Sequence, residues 1–320
     1  MSRIPVKILG TGAYLPPRTV YSEELERELG YAPGTFEKTS GVRRRFYAQG
    51  ETSSAMGAKA AEAALETAQV GKEQIDAIIS VSGVPQQAVP SMAALMHQKL
   101  ELRGAVAFDI NSTCLSFLTG FFCLAHLMQQ GVYRRVLLVS ADIASVGLNP
   151  CDPKTASLFG DGAAAAVLGL SEEGESGLLT SHFEILSQHA EACQCEAGGV
   201  LLAEKWEASK ERLYFRMEGP RLFKAALPPL LRMINRLSMG VDLFIPHQAS
   251  PFALDLLQRK LNLTDDRFVH IVRDFGNMIA ASIPFALHQA IVQGKLQRGQ
   301  RALLMGTGAG LTVGGIVIEY

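Results

Sequence analysis

The chain lacks an excess of charge of either sign: 30 Lys plus Arg stand against 31 Asp plus Glu, a formal net charge of -1. Such a balance gives no long-range field to gather a polyanion, and the basic residues are scattered apart from Arg43-Arg44-Arg45, which reads as a surface cluster. Nucleic acid is therefore excluded as a partner. Cysteine is scarce and odd in number, with five residues at 114, 123, 151, 193 and 195, a count that a disulfide framework rarely uses. A reducing, cytoplasmic setting is expected. Metal-ligand spacing is missing too, since Cys193-Gln194-Cys195 has no second Cys or His pair and reads as a loop of free thiols. No apolar run reaches the ~20 residues of a membrane span. The most apolar stretch, 114–128, carries Ser116, Thr119 and His126 and reads as a buried core helix. The opening MSRIPVKILGTGAYLPP has no basic region followed by a long apolar one, so it reads as a strand and turn rather than a signal peptide.

What the chain has is length and alternation. At roughly 100 to 200 residues per domain, 320 residues make two domains, or two halves around a shared interior. Helix and strand signals alternate as in an α/β protein with central parallel strands, and the alternation runs twice. A helical pattern at 53–69 leads to the apolar run 75–84, and one at 220–237 leads to 241–246. Each is followed by a loop and a helix, 91–102 and 251–263, closing on the related strings Gln98-Lys99-Leu100-Glu101-Leu102 and Arg259-Lys260-Leu261-Asn262-Leu263, 161 residues apart. Then come a strand with a small-polar turn (108–113 and 269–277), a helix (114–130 and 280–293), a strand (136–140 and 302–305), and a Gly-rich turn with a final strand (160–170 and 306–320). Repeated order with weak identity marks a duplicated unit, with halves 1–170 and 171–320. The polar, Gly-bearing stretch Ser171 to Gly177 suits a connector, although an ordinary hairpin loop would look the same.

Three motifs could carry chemistry. In Asn111-Ser112-Thr113-Cys114, small polar residues able to cap a helix precede a cysteine, and an apolar helix follows. A thiol at a helix N-terminus is expected to have a lowered pKa and to be nucleophilic; the alternative is a buried structural cysteine, as Cys123 is read. The apolar strand Leu243-Phe244-Ile245-Pro246 delivers His247 at its C-terminal end, where α/β sheets collect ligand and catalytic groups, or where a structural histidine could sit. In Gly276-Asn277, a turn opens a helix and leaves the Asn amide free to donate, unless it serves only as an N-cap. Asn277 is 163 residues after Cys114, close to the repeat offset, so the two are placed at equivalent helix starts.

Taken together, Cys114 in its small-polar turn, Pro246-His247-Gln248-Ala249, Gly276-Asn277 with Ala280-Ala281-Ser282-Ile283-Pro284, Phe159-Gly160-Asp161-Gly162 and the Gly-rich C-terminal strand resemble the β-ketoacyl-acyl-carrier-protein synthase III family, condensing enzymes of the thiolase fold. The resemblance implies duplicated halves in an αβαβα layered arrangement. It implies Cys114 as the nucleophile that is acylated, His247 and Asn277 as donors to the enolate left by decarboxylation of a malonyl thioester, and the N–H groups of Cys114 and Ala309 as the oxyanion hole of the acyl step. Val89, Phe159, Leu202, Met217 and Thr307 become acyl-pocket residues, and Lys224, Arg259 and Lys260 the basic positions that dock acyl carrier protein. No cofactor is implied beyond acyl thioesters on coenzyme A or acyl carrier protein, and a homodimer is expected.

The chain departs from the family where an aromatic and an Arg grip adenine: those positions hold Thr35 and Pro153, and the only tryptophan, Trp206, lies elsewhere. Phe252 and Pro220 also replace polar contacts, so tight coenzyme A binding is not expected. Val89 and Thr307 stand where bulky aromatics are common, which removes volume from a pocket wall and implies a primer longer than acetyl. Two rival functions remain at this point: acyl transfer from Cys114 to an alcohol or amine without condensation, and a catalytically quiet subunit of a heteromeric condensing enzyme.

Overall fold

The computed structural model describes residues 3–172, 175–198 and 210–320. Among these the strands are, in chain order, β1 (Val6–Tyr14), β2 (Arg18–Tyr21), β3 (Arg44–Tyr47), β4 (Ala77–Ser80), β5 (Val106–Asp109), β6 (Arg135–Asp142), β7 (Gly162–Leu170), β8 (Gly177–Ile185), β9 (Cys193–Gln194), β10 (Arg216–Met217), β11 (Leu243–Pro246), β12 (Arg301–Gly308) and β13 (Thr312–Glu319). They form two main sheets, ordered β1-β7-β6-β4-β5 and β11-β12-β13-β8. The centres are parallel, β5 with β4 with β6 and β11 with β12, while β1, β7, β8 and β13 join antiparallel.

Hydrophobic pattern dictates the layering. The helices Ser116–Gln129 and Ser282–Val292 are apolar on nearly every side, as Phe117, Leu118, Phe121, Leu124, Ile283, Phe285, Ala286 and Leu287 illustrate, so they are stable only where both faces are covered. They lie between the sheets in one continuous core. The helices Ser53–Ala68 and Gly219–Leu237, apolar on one face, cover the outer face of the first and second sheet respectively. The order is helix, sheet, helix pair, sheet, helix. Ser53–Ala68 approaches β1 so closely that a methyl on Gly12 would overlap the Ala60 carbonyl oxygen and the Ala64 nitrogen, and the buried Ala60, Ala61 and Ala64 are the small residues such contact requires.

Several expected elements differ. No strand forms at 269–277, where the second half keeps a single bridge, Phe244 to Phe268, and then a short helix, Val272–Phe275. Gly306 and Gly308 belong to β12 rather than to a turn. Cys193–Gln194 pairs with β10 as a two-residue strand instead of lying in an open loop. Arg45, expected at the surface, is fully buried and donates from Nη2 to Ser22 Oγ (3.0 Å) and to the Ser157 carbonyl (2.6 Å); alternation along β3 turns it inward and its neighbour Arg44 outward, while Arg43, just before the strand, stays outside with Asp274.

Gly12→Ala should lower stability by about 1–3 kcal/mol through overpacking, with the thermal midpoint as the measure. Gly147→Ala, where a methyl meets nothing within 4 Å, should leave the midpoint unchanged.

Candidate active site

Two turns with the same hydrogen bonds meet at the strand ends. In the first, Asn111 Oδ1 accepts the Thr113 N–H (2.8 Å), Asn111 Nδ2 donates to the Gly83 carbonyl (3.1 Å), and Ser116 Oγ accepts the Ser112 N–H (2.9 Å). In the second, Asn277 Oδ1 accepts the Ile279 N–H (2.9 Å), Asn277 Nδ2 donates to the Ala249 carbonyl (3.2 Å), and Ser282 Oγ accepts the Met278 N–H (3.0 Å). Thr113 and Ile279 both sit at φ 51°. Every pair is 166 residues apart, as are β4 and β11, and β6 and β12. Asn277 is therefore the counterpart of Asn111, and Cys114 corresponds to Ala280. The expected equivalence of Cys114 with Asn277 is corrected: the offset of 161 holds only for the helix strings, because the 83–91 loop before the first helix carries five more residues than its counterpart and the connection after that helix carries five fewer (offsets 166, 161 and 166).

The strand ends bring the three candidates together. His247 follows β11 and donates its N–H to the Met305 carbonyl (2.7 Å), as Val81 does to Val139 in the first half (2.8 Å). The Ala249 N–H in turn reaches the His247 carbonyl (2.8 Å), so the group that fixes Asn277 is two residues from the histidine. Gly306 lies between His247 and Leu115, next to Cys114: a methyl there would come 2.5 Å from His247 Cβ and 3.4 Å from Leu115 Cδ2. Thr113 Oγ1 donates to the Ala309 carbonyl (3.3 Å), anchoring the turn to the end of β12. Asn277 is held by Gly276 at φ 70°, packed so tightly on Leu158, Phe159 and Gly160 that a methyl would lie 2.9 Å from the Gly160 nitrogen.

Burial governs the electrostatics. The Cys114 thiol is pushed up to about 12, against the expected lowering: loss of water dominates, the nearby Cys193 and Asp142 add to it, and the N–H groups of Ala309 and Cys114 itself pull the other way without winning. The helix begins only at Ser116, with Leu115 as an N-cap that offers no side-chain bond, so its dipole does not start at the thiol. Ala309 is absent from the residues with positive φ, and its N–H needs no glycine. His247 is buried and its pKa is lowered to about 4 by desolvation. Its ring is neutral at pH 7, and Nδ1 is the nitrogen sealed without a partner among the described residues. Asp142, at the end of β6, is also buried, which pushes its carboxyl up to about 7 against three backbone N–H bonds.

The other expected residues fall as follows. Phe159 is buried against Phe215, edge to face at 5.0 Å, and Met217 packs in the same cluster. Thr307 lies between Gly306 and Gly308 on β12. Val89 is 80% exposed, so within a single chain it walls no pocket. Leu202 and Trp206 lie outside the described residues. Lys224, Arg259 and Lys260 are exposed on the helices Gly219–Leu237 and Pro251–Leu261. Among the described residues no cluster of His, Cys, Asp or Glu could hold a metal, and no helix is long and apolar enough to cross a membrane. Sequence reasoning passed over Asn111 and Asp142; the shared spacing of Asn111 with Ser116 and Asn277 with Ser282 was the available signal.

A half-buried thiol beside two N–H donors, on a turn next to those that carry a neutral histidine and a carboxamide, is an arrangement for acyl transfer and for stabilising negative charge on oxygen. Known proteins agree. The family models for 3-oxoacyl-[acyl-carrier-protein] synthase III and for its C-terminal part match residues 108–185 and 236–320. The chain is 35% identical to β-ketoacyl-[acyl-carrier-protein] synthase III of Serratia proteamaculans and 32% identical to that of Clostridioides difficile, over 98% of this chain and 98% or more of each relative. The chain belongs to the β-ketoacyl-acyl-carrier-protein synthase III family. Its fold matches the crystal structure of the Aquifex aeolicus synthase with a TM-score of 0.88, 31% identity, and coverage of 98% of this chain and 100% of that one. The priming β-ketosynthase of the R1128 polyketide pathway matches with 0.89 at 26% identity, covering 98% and 96%. The thiolase-like fold and membership of the condensing transferases of fatty-acid synthesis follow.

The neutral histidine has a pH signature. Between pH 6.5 and about 4 the unfolded chain takes up a proton at His247 that the folded chain refuses, so stability should fall by about 3 kcal/mol as pH drops through that window. Urea unfolding at pH 7 and pH 4.5 checks this against His247→Asn, which should lose clearly less; the difference removes the contributions of His270 and His288, lowered for the same reason.

Proposed function

We propose that this synthase acylates itself on Cys114 from an acyl thioester and condenses that group with a malonyl-type thioester. In the first half-reaction the Cys114 sulfur takes the acyl group and the thiol proton leaves on the departing carrier thiol. In the second, carbon dioxide departs from the malonyl thioester, the enolate carbon attacks the acyl carbonyl, and Cys114 is released to regain a proton, giving a β-ketoacyl thioester. The observation that carries this reading is the sealed, neutral His247 beside the Asn277 carboxamide: both offer N–H to an enolate oxygen, and neither brings a negative charge that would repel it. The N–H groups of Cys114 and Ala309, which already stabilise sulfur, would serve as the oxyanion hole for the acyl carbonyl.

The primer is longer than acetyl, lodged near Phe159, Met217, Leu202 and Thr307. Val89 joins the pocket only from a second chain. That supports a homodimer joined along β5, an edge strand with the exposed Val106 and beside the loop bearing Val84 and Val89. Lys224, Arg259 and Lys260 would dock acidic carrier protein. Thr35 and Pro153, in place of an aromatic and an Arg, make coenzyme A the weaker carrier. No cofactor is needed, since thioester exchange and decarboxylation balance without one. The duplicated halves 1–170 and 171–320 supply the nucleophile and the enolate donors respectively, in a cytoplasmic enzyme.

Cys114→Ala should take up no acyl group. His247→Ala and Asn277→Ala should each leave acylation largely intact while slowing carbon dioxide release ~100-fold, about 2.7 kcal/mol for one lost donor. Single-turnover acylation measured beside carbon dioxide release decides it, and joint loss of both steps would contradict the division of labour. Transfer of the acyl group to an added alcohol or amine without carbon dioxide release would favour plain acyl transfer.

Val89→Phe and Thr307→Phe should refill the pocket and lower kcat/KM for an octanoyl primer more than for acetyl. A wild type that takes acetyl and ignores octanoyl would contradict the wider pocket.

A further inference from the structure

Asp142 is fully buried at the end of β6, and nothing in the reaction described above uses it. Its Oδ1 accepts the N–H groups of Gly83 and Val84, 2.9 Å each, and its Oδ2 accepts the N–H of Ala281 at 3.2 Å. Gly83 is the residue whose carbonyl holds Asn111, and hence the Cys114 turn. Ala281, whose N–H is shared with the Met278 carbonyl (3.0 Å), closes the turn whose Ile279 N–H fixes the Asn277 carboxamide. One carboxylate therefore ties a turn of the first half to a turn of the second. The latch exists once: the counterpart position on β12 is Gly308, where a methyl would come 2.7 Å from Thr113 Oγ1.

We propose that Asp142 is a positioning residue whose bond to Ala281 sets where the Asn277 carboxamide stands relative to Cys114, so that it governs decarboxylation far more than acylation. The proposal rests on the assignment of decarboxylation to His247 and Asn277. Asp142→Asn separates the two arms. An amide keeps one acceptor oxygen, which the two N–H groups of Gly83 and Val84 draw, and it turns an NH2 donor toward the Ala281 N–H.

The test is a double-variant cycle of Asp142→Asn with Asn277→Ala, reading single-turnover acylation of Cys114 by intact mass and carbon dioxide release from malonyl thioester. Asp142→Asn alone should slow carbon dioxide release at least tenfold and acylation less than threefold; added to Asn277→Ala it should slow release less than twofold further, because the group it positions is gone. Equal losses in both half-reactions, or the same loss in both backgrounds, would overturn the latch. So would normal release by Asp142→Asn beside a slow Asn277→Ala. Normal release by Asn277→Ala itself overturns the underlying assignment, and the latch with it. Should Asp142→Asn fail to fold, Asp142→Glu, with two acceptor oxygens on a longer arm, enters the same cycle with the same expected direction and the same overturning results.

Discussion

Where two layers of backbone meet inside a protein, each N–H taken from water must find an acceptor, and in this chain that requirement is met twice by the same device. A carboxamide at the start of a turn folds back on the N–H two residues ahead and donates to a carbonyl just past the end of a neighbouring strand. Asn111 and Asn277 do this with bonds of nearly equal length. The device fixes two strained residues, Thr113 and Ile279, and the helix that follows each. Chemistry enters through the differences between the halves. Val81 in the first half is His247 in the second, and Ala280 in the second is Cys114 in the first. A symmetric skeleton thus presents one thiol, one imidazole and one carboxamide to a single place.

Dryness decides how those groups behave. A thiol next to two N–H donors would ionise readily in water, but burial outweighs the donors and leaves it protonated at rest. The same burial keeps His247 neutral and therefore a donor without net charge. Charge then develops only when substrate brings an oxygen to these fixed donors, which spend no energy reorganising. Asp142, a carboxylate in range of the thiol, is turned away into backbone N–H groups.

Much of this was legible in the sequence because it rests on periodicity. The Ala-rich pattern at 53–69 and the all-round apolar pattern at 114–130 located their helices to within two residues, and the residue motifs named the family. What escaped depends on three-dimensional neighbours. The repeat offset read from the helix strings, 161, is true of those helices but is shifted by the longer 83–91 loop, so it misaligned Asn277 with Cys114. Local context suggested a helix-stabilised thiolate at Cys114, yet the thiol's surroundings come from β12 and Asp142, far away in the chain. Arg45 sits in a run of three arginines, and only where β3 begins and how it alternates tells it from Arg43, before the strand, and Arg44, on its other face.

The central claim is that acyl uptake and malonyl decarboxylation occur in sequence on one thiol. Wild-type enzyme incubated with an octanoyl thioester, digested and mapped by mass, should carry the acyl group on the peptide containing Cys114 alone. A chase with malonyl thioester should remove it with one carbon dioxide released per acyl group lost. An acyl group on Cys123, Cys151, Cys193 or Cys195, or a chase that leaves the Cys114 adduct in place, would contradict the account.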